Sequence, residues 1–93
     1  MTDFPYTDEE LVDLAKKYGK RDADITADDT TGFSDTEYED LADDAWAHSG
    51  WANFENDPKL ADHWDQEISD RLKLSSIYID TFVEAIKHRD GVG

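Results

Sequence analysis

Apolar residues return at steps of three and four through three stretches of this chain, which is a helical period. The longest stretch runs from Asp57 to His88. Ala61, Trp64, Ile68, Leu72, Ser75, Ile79, Phe82 and Ile86 share one face of it. Asp57-Pro58 predicts the start, with Asp as N-cap and Pro at the first helical position, and Asp90-Gly91 predicts the stop. A helix over residues 58–88 would be about 45 Å long.

Two shorter helices precede it. Tyr6-Thr7-Asp8-Glu9-Glu10-Leu11 reads as a capping box, Thr7 with Glu10, flanked by a Tyr6–Leu11 staple. Leu11, Leu14, Ala15 and Tyr18 then line one face, Lys16 and Lys17 suit the carboxyl end of the dipole, and Gly19 predicts the end. This gives a helix over 8–18. Phe33-Ser34-Asp35-Thr36-Glu37-Tyr38 repeats the same grammar and predicts a helix over 35–48, with Tyr38, Leu41, Ala42, Ala45 and Trp46 inward and Gly50 as terminator. Between them, Lys20 to Phe33 loses the period and reads as a loop, with one turn capped by Thr26 and Ile25 as its anchor. Trp51 and Phe54 fall in a connector and are expected to fold back as core anchors.

The long stretch changes after Leu72. A second apolar set, Leu74, Ile77, Tyr78 and Ala85, lies about a third of a turn from the first, leaving Lys73, Ser76, Asp80, Glu84 and Lys87 as an exposed strip. Either this half is the central helix, touched by the first helix on one side and the second on the other, or one stripe meets another subunit. Ser76 to Val83 is also rich in strand formers, so a strand there is the competing assignment. The fold class expected is all-α: one domain over 1–93, three main helices at 8–18, 35–48 and 58–88, and flexible tails at 1–6 and 90–93.

Charge changes the picture most. Twenty-four acids against nine bases give −15, and Asp outnumbers Glu seventeen to seven, far beyond the roughly 2–8 units usual for a small domain. Such a surface disfavours nucleic acid and anionic membranes as partners, because both need Lys/Arg clusters. Three tryptophans and 12% aromatics argue against disorder. No signal-peptide pattern and no apolar run of spanning length is present, so a soluble protein is expected. With no cysteine there is no disulfide, thiolate metal site or thiol nucleophile.

Recognised chemistry is not found. A calcium loop starting at Asp22 would need Gly at its sixth position and Glu at its twelfth, where Ala27 and Phe33 stand. A start at Asp24 meets Asp29 and Asp35 and fails equally. His63 and Glu67 share a helix face, but His48, His63 and His88 form no paired-His zinc motif. The serines sit at caps or within helices, and no nucleophile elbow or phosphate loop exists. No catalytic residue, metal site or cofactor is predicted, and the chain reads as a non-enzyme.

The strongest functional signal is acidic. Residues 35–57 carry eight acids and no base, against −5 for 1–34 and −2 for 58–93. Glu39 with Asp43, and Asp40 with Asp44, are like charges one turn apart, costing roughly 0.2–0.5 kcal/mol per pair. Glu37, Glu39, Asp40, Asp43 and Asp44 therefore form a candidate interaction face, and Leu74, Ile77, Tyr78 and Ala85 a candidate subunit-contact stripe. Three explanations of the acidity compete: residence in high salt, a basic protein partner, and imitation of DNA by carboxylates.

The composition resembles that of haloarchaeal proteins, as in Asp22-Ala23-Asp24 and Ala42-Asp43-Asp44-Ala45, although Lys outnumbers Arg six to three against their habit. The order of two short capped helices and a long one is similar to that of the small helical head–tail connector (adaptor) proteins of tailed viruses. That resemblance implies a non-enzymatic subunit of a ring or other virion assembly, found in the virion or host cytoplasm, with homo-oligomeric or other virion-protein partners. The alternative is an acidic inhibitor that mimics DNA through residues 35–57 and blocks a nucleic-acid-binding protein.

Overall fold

Both expected capping boxes start helices. In the computed structural model, which describes residues 6–26, 30–60 and 62–91, the Thr7 hydroxyl accepts from Glu10 N while the Glu10 carboxylate accepts from Thr7 N, opening α1 (Asp8–Ile25). Ser34 and Glu37 do the same for α2 (Asp35–Ala45). Between them, Thr30 to Phe33 makes a β-turn in which Gly32 takes φ +80°, a conformation open to glycine at that turn position. The all-α class holds among the described residues, and Ser76 to Val83 is helix rather than strand.

Of the three glycines expected to stop a helix, Gly91 does, following the end of the last helix (Leu74–Arg89) with φ +76°, whereas Gly19 and Gly50 do not. α1 runs through Gly19 for six more residues to Ile25, which is 72% exposed and anchors nothing. After Ala45 the chain widens into one π-helical turn (Trp46–Gly50) and continues as α3 (Trp51–Glu55), so Gly50 lies inside a helical rod and Trp51 and Phe54 are on a helix. Phe54 is fully buried, and Trp51 packs edge-on to Trp64 with centroids 5.0 Å apart. The physical reason for both glycines is contact. A Cβ on Gly19 would stand 2.8 Å from the Tyr78 carbonyl oxygen, and one on Gly50 would stand 2.5 Å from the Trp46 ring and 3.0 Å from the Tyr78 ring.

The single long helix is also corrected. From Asp57 the chain makes successive turns: the Asp57 carboxylate accepts from Lys59 N, two residues on, and Leu60 is fully buried as the anchor. A side chain closing that short turn does not cap a propagating helix. α4 (Gln66–Leu72) starts instead at Asp65, whose carboxylate accepts from Ile68 N. It stops at Lys73, whose φ of 53° and ψ of 44° are left-handed, and α5 (Leu74–Arg89) follows. Part of the expected tails is held as well: Tyr6 donates to Asp57, and Asp90 accepts from Tyr38. Residues 1–5, 27–29, 61 and 92–93 lie outside the described residues.

The break at Lys73 re-phases the apolar pattern. Leu74, Tyr78, Phe82 and Ile86, four apart, become the buried ridge of α5, while Ile79 is only partly covered. α1 buries a matching ridge, Leu11, Ala15, Gly19 and Ala23. Rows at four-residue spacing on both helices are the commonest way two helices interlock, and Gly19 marks where the backbones meet. α2 packs on α5 too, through Tyr38 and Ala42 against Phe82 and Ile86. α5 is thus the central helix, touched by both shorter ones. Tyr18 and Trp46 join this cluster to the one formed by Leu11, Ala15, Phe54, Leu60 and Leu74.

Lys73 holds a conformation that costs an L-residue about 1–2 kcal/mol, against about 0.5–1 kcal/mol of extra chain entropy for glycine. Lys73→Gly is expected to raise stability by about 0.5–1 kcal/mol in chemical denaturation. No gain would mean that this residue is not left-handed in solution.

Candidate functional site

The acidic segment forms a helix whose geometry sorts its carboxylates. At about 100° per residue, Asp35, Glu39, Asp43, Asp40, Asp44 and Glu37 sweep roughly half of the α2 circumference, and all are exposed. Tyr38 and Ala42 occupy the opposite arc and are buried.

Contacts then narrow the face. Asp35 accepts from Lys87 Nζ at 2.6 Å, which holds the lysine pKa above its ordinary value. Glu37 is committed to the capping box. Asp44 faces His48 Nδ1 at 3.3 Å, an ion pair when the imidazole is protonated. Glu55 accepts from the Trp51 indole N–H, and Asp57 from Tyr6 and from Lys59 N. Asp40 and Asp43 make no hydrogen bond or ion pair among the described residues and stand at the middle of the face. All five residues of the expected acidic face therefore share one exposed side of one helix.

The expected subunit-contact stripe does not survive as an exposed surface. Leu74 and Tyr78 are fully buried, and Ile77 and Ala85 are partly buried against the two core clusters. The break at Lys73 turned Leu74 and Tyr78 into the chain's own core and left Ile77 and Ala85 half-buried beside it. The only large hydrophobic side chain standing exposed among the described residues is Ile25.

Not legible in the sequence is a set of Tyr–Asp contacts, one buried and two part-buried. The Tyr78 hydroxyl donates to Asp22 Oδ2 at 2.5 Å, and the Asn53 amide donates to the same oxygen at 3.1 Å. Arg21 closes the group, 2.7 Å from Asn53 Oδ1 and 3.4 Å from Asp22 Oδ1. Asp22 is 5% exposed, so these donors stand in for water around a carboxylate that would otherwise be costly to bury. At the far end, Asp90 accepts from Tyr38 at 2.9 Å and from Thr30, and Arg89 Nη1 donates to the α1 end at Thr26 O, 2.7 Å. Tyr6 donates to Asp57 at 3.0 Å. Each of the three Tyr–Asp contacts ties two segments more than fifty residues apart. Seventeen aspartates offered no local signal for choosing these three.

These contacts shift titrations in one direction. Burial, followed by the neighbouring carboxylate, raises the pKa of Tyr78 (Asp22), Tyr38 (Asp90) and Tyr6 (Asp57). Burial and then the Asp57 charge raise Tyr18. A group whose folded pKa is raised contributes stability below its unfolded pKa and loses that contribution above it. The protein is therefore expected to keep its tyrosines protonated past about pH 10, where free tyrosine ionises, and to lose stability steadily from there upward. Tyrosinate absorbance should appear late and together with loss of helical circular dichroism. Early, non-cooperative ionisation of all four would show that the hydroxyls are not held.

Two depressions stand out among the described residues. α1, α2 and α5 border an open groove of about 870 Å³, whose charged lining is Lys16, Lys20, Asp24, Glu39, Asp80, Glu84 and Lys87. A shallower cleft of about 520 Å³ lies over Arg21, Asn53 and His48, where Arg21 and Asn53 already bond to each other. Among the described residues no group of three or more His, Asp or Glu side chains is arranged to hold a metal ion, and no helix is long and apolar enough to cross a membrane.

Compared with known protein families, curated proteins and solved structures, the chain matches none.

Proposed function

We propose that this protein is a non-catalytic interaction subunit that docks the basic surface of a partner protein through the exposed carboxylates of α2. The observation that carries this reading is the placement of Asp40 and Asp43, at the centre of an acidic half-cylinder with no partner of their own. Their mutual crowding with Glu39 and Asp44 weakens the helix, a cost that a basic partner would reverse by neutralising the row. Complementary charge of this kind speeds encounter and selects partners more than it adds affinity. Leu74 and Tyr78, half of the apolar stripe considered for a hydrophobic subunit contact, are taken up in the core, which favours an electrostatic contact. A virion or other assembly, in high salt or not, is one setting for such a subunit. A nucleic-acid-binding protein whose DNA site is blocked is another.

The triple substitution Asp40→Asn, Asp43→Asn, Asp44→Asn keeps shape and removes charge. Because it also removes like-charge pairs, it should fold at least as well as the parent. Capture of partners from an extract of the source cells is expected to fall at least tenfold for the neutral variant relative to the parent at about 0.15 M salt. Release of the captured protein by added duplex DNA would place the contact at a nucleic-acid site. Equal capture of the same proteins by both variants would overturn the docking role of α2.

A further inference from the structure

The charge map holds one feature of opposite sign. Lys16, Lys17 and Lys20 lie on consecutive turns of α1, all exposed, and make no hydrogen bond or ion pair among the described residues. By contrast, Arg71 pairs with Asp8, Lys87 with Asp35, and Arg21 and Arg89 with their own neighbours. In a chain of net charge −15, Lys59 and Lys73 also lack an ion pair among the described residues, but only Lys16, Lys17 and Lys20 stand together, three lysines within five positions. Lys16 and Lys20, with Asp24, form the α1 wall of the groove over α5.

We propose that this lysine turn receives the acidic face of α2 from a second copy of the same chain. The inference rests on the reading of α2 as a docking helix and names its partner. Asp40, Asp43 and Asp44 are spaced at one turn, as are Lys16 and Lys20, so the two rows share one pitch of about 5–6 Å. Opposite charges in matched rows can therefore meet in register along two helices. Asp13 and Asp24 lie about one turn before and after the lysines on the same exposed side. A slip by one turn brings carboxylates against carboxylates, which confines the contact to one register.

Two different patches of one chain meeting in this way make a heterologous contact. Each copy then still offers a free acidic face and a free lysine turn, so association continues into a ring or an open chain. The groove over α5 gives the incoming helix room beside Lys16 and Lys20, and its carboxylates, Asp24, Glu39, Asp80 and Glu84, restrict the favourable contact to the lysines. Beyond the contact, the repulsion between two acidic copies is screened within about 8 Å at physiological salt.

Sedimentation velocity over a concentration series at about 0.15 M salt tests this with charge reversals. The parent is expected to rise from its 10.6 kDa monomer mass to at least about double, as a repeating contact requires. Lys16→Glu/Lys20→Glu should remain monomeric, and so should Asp40→Lys/Asp43→Lys, with circular dichroism confirming that both fold. An equimolar mixture of the two reversed proteins should associate again, in alternation, because the reversed patches complement each other as well as the native ones do. A parent that stays monomeric at every soluble concentration, reversed variants that associate as the parent does, or a mixture that stays monomeric would each overturn the proposal. Capture that still falls for the neutral Asp40/Asp43/Asp44 variant while the parent is monomeric would leave α2 as a docking helix for a different protein.

Discussion

Tyr78→Ala is expected to bring this protein close to unfolding in dilute buffer. The ring is fully buried between Trp46, with centroids 5.3 Å apart, and Phe82, and it lies against Gly50. Truncating a large buried aromatic costs about 3–5 kcal/mol, and losing the hydroxyl's bond to the Asp22 carboxylate adds about 1–3 kcal/mol. A chain of this length has only about 5–14 kcal/mol in hand. Tyr78→Phe separates the two terms. It keeps the ring and leaves Asp22 with Asn53 and Arg21, so it should cost only about 1–3 kcal/mol, with an unchanged denaturant slope. Asp22→Asn in the Tyr78→Phe background should cost less than it does alone, because the two side chains share one bond. A Tyr78→Phe midpoint equal to the parent's would mean that the hydroxyl contact contributes nothing.

Tyr78 also shows why this core was only partly legible in the sequence. The starts of α1 and α2 were readable because a capping box is local chemistry: Thr7 with Glu10 and Ser34 with Glu37 satisfy each other within four residues. The acidic face was readable for the same reason, since a helical period places Asp40, Asp43 and Asp44 on one side wherever α2 goes. The second apolar stripe after Leu72 was the trace of a phase change. A continuous helix would have left Leu74 and Tyr78 beside the core, and the left-handed turn at Lys73 rotates them into it. Nothing local marks Lys73 for that role, because glycine or asparagine is the usual occupant. The Tyr–Asp contacts depend on which of seventeen carboxylates the fold brings to which hydroxyl, a long-range outcome with no spacing to read. The groove between α1, α2 and α5 arises only once α5 takes the central position.

Gly19 and Gly50 carry the same lesson in energetic form, because a glycine that ends a helix and a glycine that lets two helices touch look alike in sequence. Only the second kind is injured by a methyl group. At Gly19 the added Cβ would meet a backbone oxygen at 2.8 Å and Thr81 Cβ at 3.2 Å, and neither can swing away as a side-chain tip could. Alanine would add about 1 kcal/mol of helix propensity, yet α1 and α5 would have to separate along the seam that holds Leu11, Ala15, Leu74 and Phe82. Overpacking of this kind costs about 1–3 kcal/mol or more. Gly19→Ala is therefore expected to destabilise by about 1–2 kcal/mol net, lowering the melting temperature by about 5–15 °C. Gly50→Ala should behave likewise, since the Trp46 ring it would meet already packs against Phe54 and Tyr78. If Gly19→Ala instead raised the melting temperature, as propensity alone demands, α1 would not cross α5 at that residue. The interlocked ridges, and the flank on which Lys16 and Lys20 stand, would have to be redrawn.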